Sequence, residues 1–155
     1  MISRFLTMGW KYNGRSITEI SDMPEGTIGF IYKITNGQTG QYYIGKKSIY
    51  SHRTLPPLKG YKRKRKVVKE SKWQDYRSSN PTVQLWFHEN QVALNEDRRS
   101  DINDRLELKI LRFCSSKKSL TYYELQEQFS HDVLADEQSL NDNLLGKFFR
   151  KDLEN

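Results

Sequence analysis

Residues 27–35 and 41–45 are two runs rich in β-branched and aromatic side chains, and between them lies Asn36-Gly37-Gln38-Thr39-Gly40. This arrangement constrains the chain more than any other. Such side chains suit a pleated, half-buried surface, and an Asn/Gly/Thr cluster supplies the backbone freedom of a turn. The pattern predicts an antiparallel hairpin. A smaller hairpin is expected upstream, where Asn13-Gly14 sits between Trp10-Lys11-Tyr12 and Arg15 and the segment ends at Pro24-Glu25-Gly26.

Downstream, residues 46–72 lose the pattern. Pro56-Pro57 blocks helix and Val67-Val68 is the only apolar content of the basic run that follows, so a long irregular insertion is expected there. Helical character restarts near Trp73-Gln74-Asp75-Tyr76, stops at Ser78-Ser79-Asn80-Pro81, and resumes with Val83, Leu85, Trp86 and Phe87. In residues 105–113, Leu106, Leu108, Ile110 and Arg112 alternate with Glu107, Lys109 and Leu111, which reads as a strand broken in pattern by Leu111. After the 115–119 loop, residues 120–134 read as a helix that gathers Leu120, Tyr123, Glu124, Glu127, His131 and Leu134 at spacings of three and four. The order ββ, helix, β, helix implies an α+β fold with a small central antiparallel sheet flanked by helices.

With 155 residues the chain fits one domain. We read an N-terminal hairpin extension over 1–26, a principal domain over 27–146 with a basic insertion at 54–72, and a tail over 147–155. No apolar run approaches the roughly 20 residues that span a bilayer, and the first ten residues lack the form of a secretory signal. Cys114 is the single cysteine, which agrees with a reducing compartment. A cytoplasmic protein without a membrane partner is expected.

The net charge of +7 is informative once located. Residues 59–72 hold eight of the 26 Lys and Arg but only one of the 19 acids, Glu70, so the whole excess lies in this segment. A run this dense attracts a polyanion, and nucleic acid is the commonest one inside a cell. The plainer reading is a solvated loop.

The wording of the hairpin carries chemistry. Gly29-Phe30-Ile31-Tyr32 followed by Tyr43-Ile44-Gly45, with eleven positions from Tyr32 to Tyr43, resembles the signature of the GIY-YIG nucleases. Arg53 stands ten positions past Tyr43, and Glu124 lies in Tyr122-Tyr123-Glu124-Leu125, where the family carries an arginine and a helical glutamate. Asn143, with Asn141 in reserve, matches a late asparagine. Ile44-Gly45-Lys46-Lys47, residues 70–76, Ser78-Ser79-Asn80 and residues 123–129 are similar to phage-encoded members, and the resemblance covers about 29–146.

The resemblance implies a metal-dependent DNA endonuclease, of homing or restriction-like type, working in the host cytoplasm if phage-encoded. Tyr32, Tyr43, Arg53, Glu124 and Asn143 would form the catalytic set. Glu124 would hold one Mg²⁺ or Mn²⁺, because a lone carboxylate suits a hard ion that keeps waters and takes phosphate oxygens. Arg53 offers a planar fork for the scissile phosphate. The family analogy makes Tyr32 the base or water-positioning group and Tyr43 its partner, although a tyrosine near pKa 10 needs help from a cation. Lys46, Lys47, His52 and the run Lys62, Arg63, Lys64, Arg65 and Lys66 would contact DNA. No appended recognition domain is visible, so relaxed specificity, or recognition by the N-terminal hairpin and the insertion, is expected.

Two positions depart from the family's pattern. Phe30 replaces the first glycine of the name motif, with Gly29 available for the same turn, and Pro57 stands where many members have a histidine. They sustain the alternative of a non-catalytic nucleic-acid-binding protein with the same fold. The histidines His52, His88 and His131 have no regular spacing for a zinc site. Trp73, Trp86 and Phe87 read as core.

Overall fold

A computed structural model describes residues 8–153. The first seven residues of the N-terminal extension and the last two of the tail lie outside the described residues. The hairpin signals form as expected. Strands β1 (Lys11–Tyr12) and β2 (Arg15–Ser16) pair around Asn13-Gly14, both at positive φ. Strands β3 (Gly29–Asn36) and β4 (Tyr42–Ser48) pair antiparallel, with Tyr32 opposite Gly45.

Two further strands, β5 (Tyr50–Leu55) and β6 (Arg65–Glu70), pair antiparallel in a separate two-stranded ribbon. This corrects the expectation of an irregular insertion over 46–72. Pro56-Pro57 ends β5 at the ribbon's tip, and Val67-Val68 lie opposite Arg53 and His52 on β6. Turn residues read as a breakdown of pattern are here the far end of a hairpin.

A 3₁₀ turn at Trp73–Asp75 leads to helix α1 (Pro81–Asn95), whose N-cap Asn80 accepts hydrogen bonds from the backbone N–H of Thr82 and Val83. Strand β7 (Leu106–Cys114) then pairs antiparallel with β3. Their register shifts between Ile31 and Tyr32, which skips Leu111. That bulge is the physical cause of the broken alternation. Past it Phe113, and not Arg112, joins the face of Leu108 and Ile110, while Arg112 stacks its guanidinium 3.8 Å over the Tyr123 ring.

Helix α2 (Lys117–Ser130) starts a turn earlier than its apolar pattern suggested, because Ser116 and Ser119 form a reciprocal capping box. It also stops earlier, with Asp132 at positive φ. Near the C-terminus β8 (Asn143–Leu144) pairs with β9 (Phe148–Phe149). The segment read as a tail is tied to the body by Arg150, whose guanidinium donates to the carbonyls of Val133, Asp136, Ser139 and Asn141.

The main sheet runs β2-β1-β7-β3-β4. It is mixed, since β1 joins β7 in parallel, around an antiparallel centre of β7, β3 and β4. Its two faces bury separate cores. Phe30, Tyr32, Ile34, Leu108 and Ile110 meet Trp10, Trp73 and Val83 of α1 on one side. On the other, Ile31, Ile44 and Cys114 meet Leu120 of α2 and Val133, Leu134 and Leu144. The α+β architecture is therefore a sheet between two helical layers, and β4 is its outer strand.

Candidate active site

Strand alternation distributes the residues of β4 around its edge. Tyr43 and Gly45 share a face with Tyr32, and the tyrosine rings lie 6.3 Å apart. Lys46 points to the α2 side, where its ammonium donates to Thr121 Oγ1 (2.9 Å) and stands 4.0 Å from a Glu124 carboxylate oxygen. Lys47 returns to the tyrosine face, with its amine 4.5 Å from the centre of the Tyr76 ring. The site thus straddles one strand edge, with phenols on one side and an ion pair on the other.

The two tyrosines differ in exposure. Tyr32 is 1% exposed, between Trp10 (5.3 Å between rings) and Tyr76 (5.9 Å). Burial drives its hydroxyl far above the ordinary phenol range, the neighbouring Tyr76 adds to the rise, and a hydrogen bond with Ser78 opposes it. Tyr43 is half-buried. Burial raises its hydroxyl too, a hydrogen bond with Ser79 opposes the rise, and the Glu124 carboxylate, Tyr76 and Asp142 add to it. Tyr43 therefore sits within electrostatic reach of Glu124. The family analogy gave the leading role to Tyr32, and of the two Tyr43 is the more accessible.

Glu124 rises from α2 with 15% of its side chain exposed. Burial lifts its carboxyl above its ordinary value, and the Lys46 ammonium and backbone N–H pull it back down. Among the described residues no group of three or more His, Cys, Asp or Glu converges on one point.

Of the two candidate asparagines, Asn141 reaches the sheet. Its side chain accepts from Ile44 N–H (3.0 Å) and donates to Ile44 C=O (2.8 Å), closing the outer edge of β4 beside Tyr43. Asn143, the first choice from sequence, instead donates to Asp142 (2.7 Å) and accepts from Gly146 N–H (2.9 Å), so it shapes its own turn. A late asparagine is visible in sequence, but two positions apart the candidates cannot be told apart until the backbone path is known.

Gly29 also has a different task from the one expected. It begins β3 and makes no turn; a Cβ there would meet the Lys47 carbonyl at 2.7 Å and Leu120 Cδ2 at 2.9 Å. Its smallness lets β3, β4 and α2 approach, while Phe30 fills the core against Trp10 and Trp73.

Arg53 and His52 lie on β5 and are exposed. Among the described residues Arg53 makes no hydrogen bond or ion pair, so its fork is free. Lys62, Arg63 and Lys64 occupy the ribbon's exposed tip, while Arg65 donates to Pro56 C=O (3.2 Å) and Lys66 pairs across from Thr54. His88 and His131 lie on other elements. The buried Cys114 thiol is raised by burial.

Sequence reading missed Asp142 and gave no site role to Tyr76, Ser78 and Ser79, although residues 70–76 and Ser78-Ser79-Asn80 carried part of the family resemblance. Ser78 is buried at φ +76°, a conformation that strains a residue with a Cβ. Its Oγ accepts from Asn80 N–H (3.1 Å), and its carbonyl accepts from Gln84 (2.9 Å). The strained loop thereby places Ser78 and Ser79 where their hydroxyls bear on the titration of Tyr32 and Tyr43 respectively. Its signals in sequence are that resemblance and the Ser-Ser-Asn-Pro break before α1.

No helix among the described residues is long and apolar enough to cross a membrane. The chain has no significant match among the curated proteins or among the solved structures. A family model described as "Putative endonuclease segE, GIY-YIG domain" matches residues 10–149, which takes in β1, both motif strands, the ribbon, Glu124 and β9. The paired tyrosines on β3 and β4, with the helical glutamate at their edge, are thus the motif of a chain that belongs to the GIY-YIG endonuclease family.

Proposed function

We propose that the protein is a metal-dependent endonuclease that hydrolyses DNA phosphodiester bonds at the edge of β4. The observation that carries this reading is the Lys46–Glu124 pair on one side of that edge and the paired tyrosines Tyr43 and Tyr32 on the other, next to a ribbon holding the chain's excess positive charge. Glu124 fits a single Mg²⁺ or Mn²⁺. Its carboxylate is partly desolvated, and with few protein ligands nearby a hard ion would complete its shell with water and phosphate oxygens. When bound, such an ion polarises the phosphate and stabilises the leaving oxygen.

The chain's own groups divide the remaining work. Arg53, free on β5, grips the scissile phosphate through its planar fork, and Lys46 adds a second positive charge opposite the growing negative one. Tyr43 orients the attacking water. Burial and nearby carboxylates oppose its ionisation, so it serves as a neutral hydrogen-bonding group and not as a phenolate. Tyr32, enclosed by Trp10 and Tyr76, sets the position of Tyr43 and the spacing of the strands. The similarity to a segE-type domain supports a phage-encoded, homing-type or restriction-like role. Such an enzyme would act in the cytoplasm, that of the host if phage-encoded.

Supercoiled plasmid incubated with the purified protein and Mg²⁺ or Mn²⁺ tests the reading. Nicking or linearisation that EDTA, Arg53→Ala and Glu124→Ala each abolish is expected. Metal-independent binding without cleavage, persisting across a randomised substrate pool, would leave a DNA-binding protein that has lost activity.

A further inference from the structure

The β5–β6 ribbon is not covered by the other described residues. Every residue of β6 is exposed, as are His52, Arg53 and Thr54 of β5. Val68 is 57% exposed, and Leu58 and Tyr61 at the tip are 52% and 72% exposed. A two-stranded ribbon without a core beneath it is marginal in water. Its root, however, is fixed: Ser71 N–H donates to Ile49 C=O (2.8 Å) and Ser71 Oγ to Ser48 C=O (2.8 Å), where β4 passes into β5.

Its charge is also left unmasked. Among the described residues no Lys or Arg of residues 59–72 forms an ion pair, and the one acid, Glu70, is turned to the body, where it accepts from Trp73 Nε1 (2.9 Å) and Gln74 Nε2 (3.2 Å). Cations with apolar side chains among them on a narrow, rigidly rooted ribbon suit a polyanion that has a groove.

We propose that this ribbon is a groove-reading arm, which enters the major groove of duplex DNA with its tip at residues 56–64 while its root holds the backbone at the β4 edge. Two strands about 4.8 Å apart, with their side chains, fit a groove about 12 Å wide and are too broad for a minor groove of about 6 Å. The deep, narrow major groove of duplex RNA excludes such a ribbon. Six paired residues extend roughly 20 Å, enough to follow several base pairs. Lysine and arginine at the tip donate to guanine O6 and N7 or to phosphate, and the exposed Tyr61 there offers apolar contact to thymine methyls. The arm thus supplies sequence preference inside the nuclease domain. This rests on the reading of the domain as a DNA endonuclease, and its test is separable from that reading.

Binding is measured with the Glu124→Ala protein, which does not need to cut, on a short DNA duplex with either methyl green filling the major groove or distamycin filling the minor groove. Methyl green is expected to weaken binding about tenfold and distamycin less than about twofold. In the same background, Lys62→Ser/Arg63→Ser/Lys64→Ser, all at exposed positions, is expected to abolish the methyl green effect and to reduce the salt slope by about 2 to 3. A second variant replaces residues 56–64 by Asn-Gly, closing the ribbon with a tight turn, and should behave alike. Competition by distamycin in place of methyl green, or an unchanged slope and dye response in both variants, would overturn the arm. Cleavage by the otherwise native protein, on plasmid and on a randomised duplex pool, is scored separately: dye competition with no cleavage of either substrate removes the enzyme reading and leaves the arm, whereas cleavage without dye competition does the reverse.

Discussion

A Cβ built on Gly45 would stand 2.5 Å from the Tyr32 hydroxyl oxygen and 2.7 Å from Cζ, so the glycine of the second motif exists to seat the tyrosine of the first. The two face each other directly across β3 and β4. Tyr32 cannot retreat, because Trp10 and Tyr76 close on it. Gly45→Ala is therefore expected to destabilise the fold by about 1–3 kcal/mol through overpacking, and to lower cleavage at temperatures where the variant is still folded. Urea unfolding followed by fluorescence measures the first effect. A variant as stable as the parent would show that the strands slide apart at little cost.

The unequal burial of the tyrosines gives the second expectation. Tyr43→Phe removes the hydroxyl of the half-buried tyrosine, whose ionisation the Glu124 carboxylate opposes, and should reduce kcat by about 10²-fold or more with little loss of stability. Tyr32→Phe removes a hydroxyl from the buried cluster with Trp10 and Tyr76, while Ser78 Oγ keeps the Asn80 N–H, and should cost about 1 kcal/mol of stability or less, with the smaller loss of rate. Single-turnover cleavage together with thermal melts separates the two. The reverse ranking would return the leading role to Tyr32.

How far the sequence disclosed this site depends on which interactions are local. Hairpin turns, the β-branched and aromatic run of β3 and the cap of α1 are decided within a few residues, so Asn13-Gly14, Tyr32, Tyr43 and Asn80 announce themselves, whereas the Ser116 and Ser119 box of α2 reads as loop. The ribbon was obscured because exposed strands carry no burial pattern: its charges and two valines say nothing about pairing until Ser71 and Ile49 anchor its root. The Leu111 bulge looked like noise, since one extra residue inverts every later side chain. Ser78 at positive φ and Asp142 beside Tyr43 depend on contacts distant in sequence, and no local rule marks them.

The choice between asparagines is testable by stability. Asn141→Ala strips both partners from the Ile44 backbone on the edge of β4, though Gln128 still donates to the carbonyl at 3.2 Å. A loss of about 1–3 kcal/mol is expected, the cost of a buried donor left unmade. Asn143→Ala, which removes two exposed turn contacts, should cost less than about 1 kcal/mol. Equal losses in chemical denaturation would mean that the edge is held by Gln128 and the backbone bridge at Ser139 instead.

Glu124 and Lys46 set the pH response. Burial raises the Glu124 carboxyl and Lys46 lowers it, so the folded protein holds its proton to a higher pH than the unfolded chain does. The stability contribution of that proton is complete below the unfolded value and is lost as pH rises through the folded one. At neutral pH the buried charge is a cost, and Glu124→Gln should melt higher than the parent, the gap closing as the solution is acidified below the ordinary carboxylate range. Activity has the opposite sign, because the ionised carboxylate is the form that would hold the ion. Its acid limb should lie above the ordinary carboxylate value, and Lys46→Met, by removing the nearby ammonium, should move that limb to still higher pH. Cleavage rates from pH 5 to 9 at one fixed Mg²⁺ concentration well below saturation measure this, because a saturating ion displaces the proton and lowers the apparent limb. An acid limb that stays in place, or moves down, in Lys46→Met would detach Lys46 from the titration of Glu124 and leave it to the DNA backbone alone.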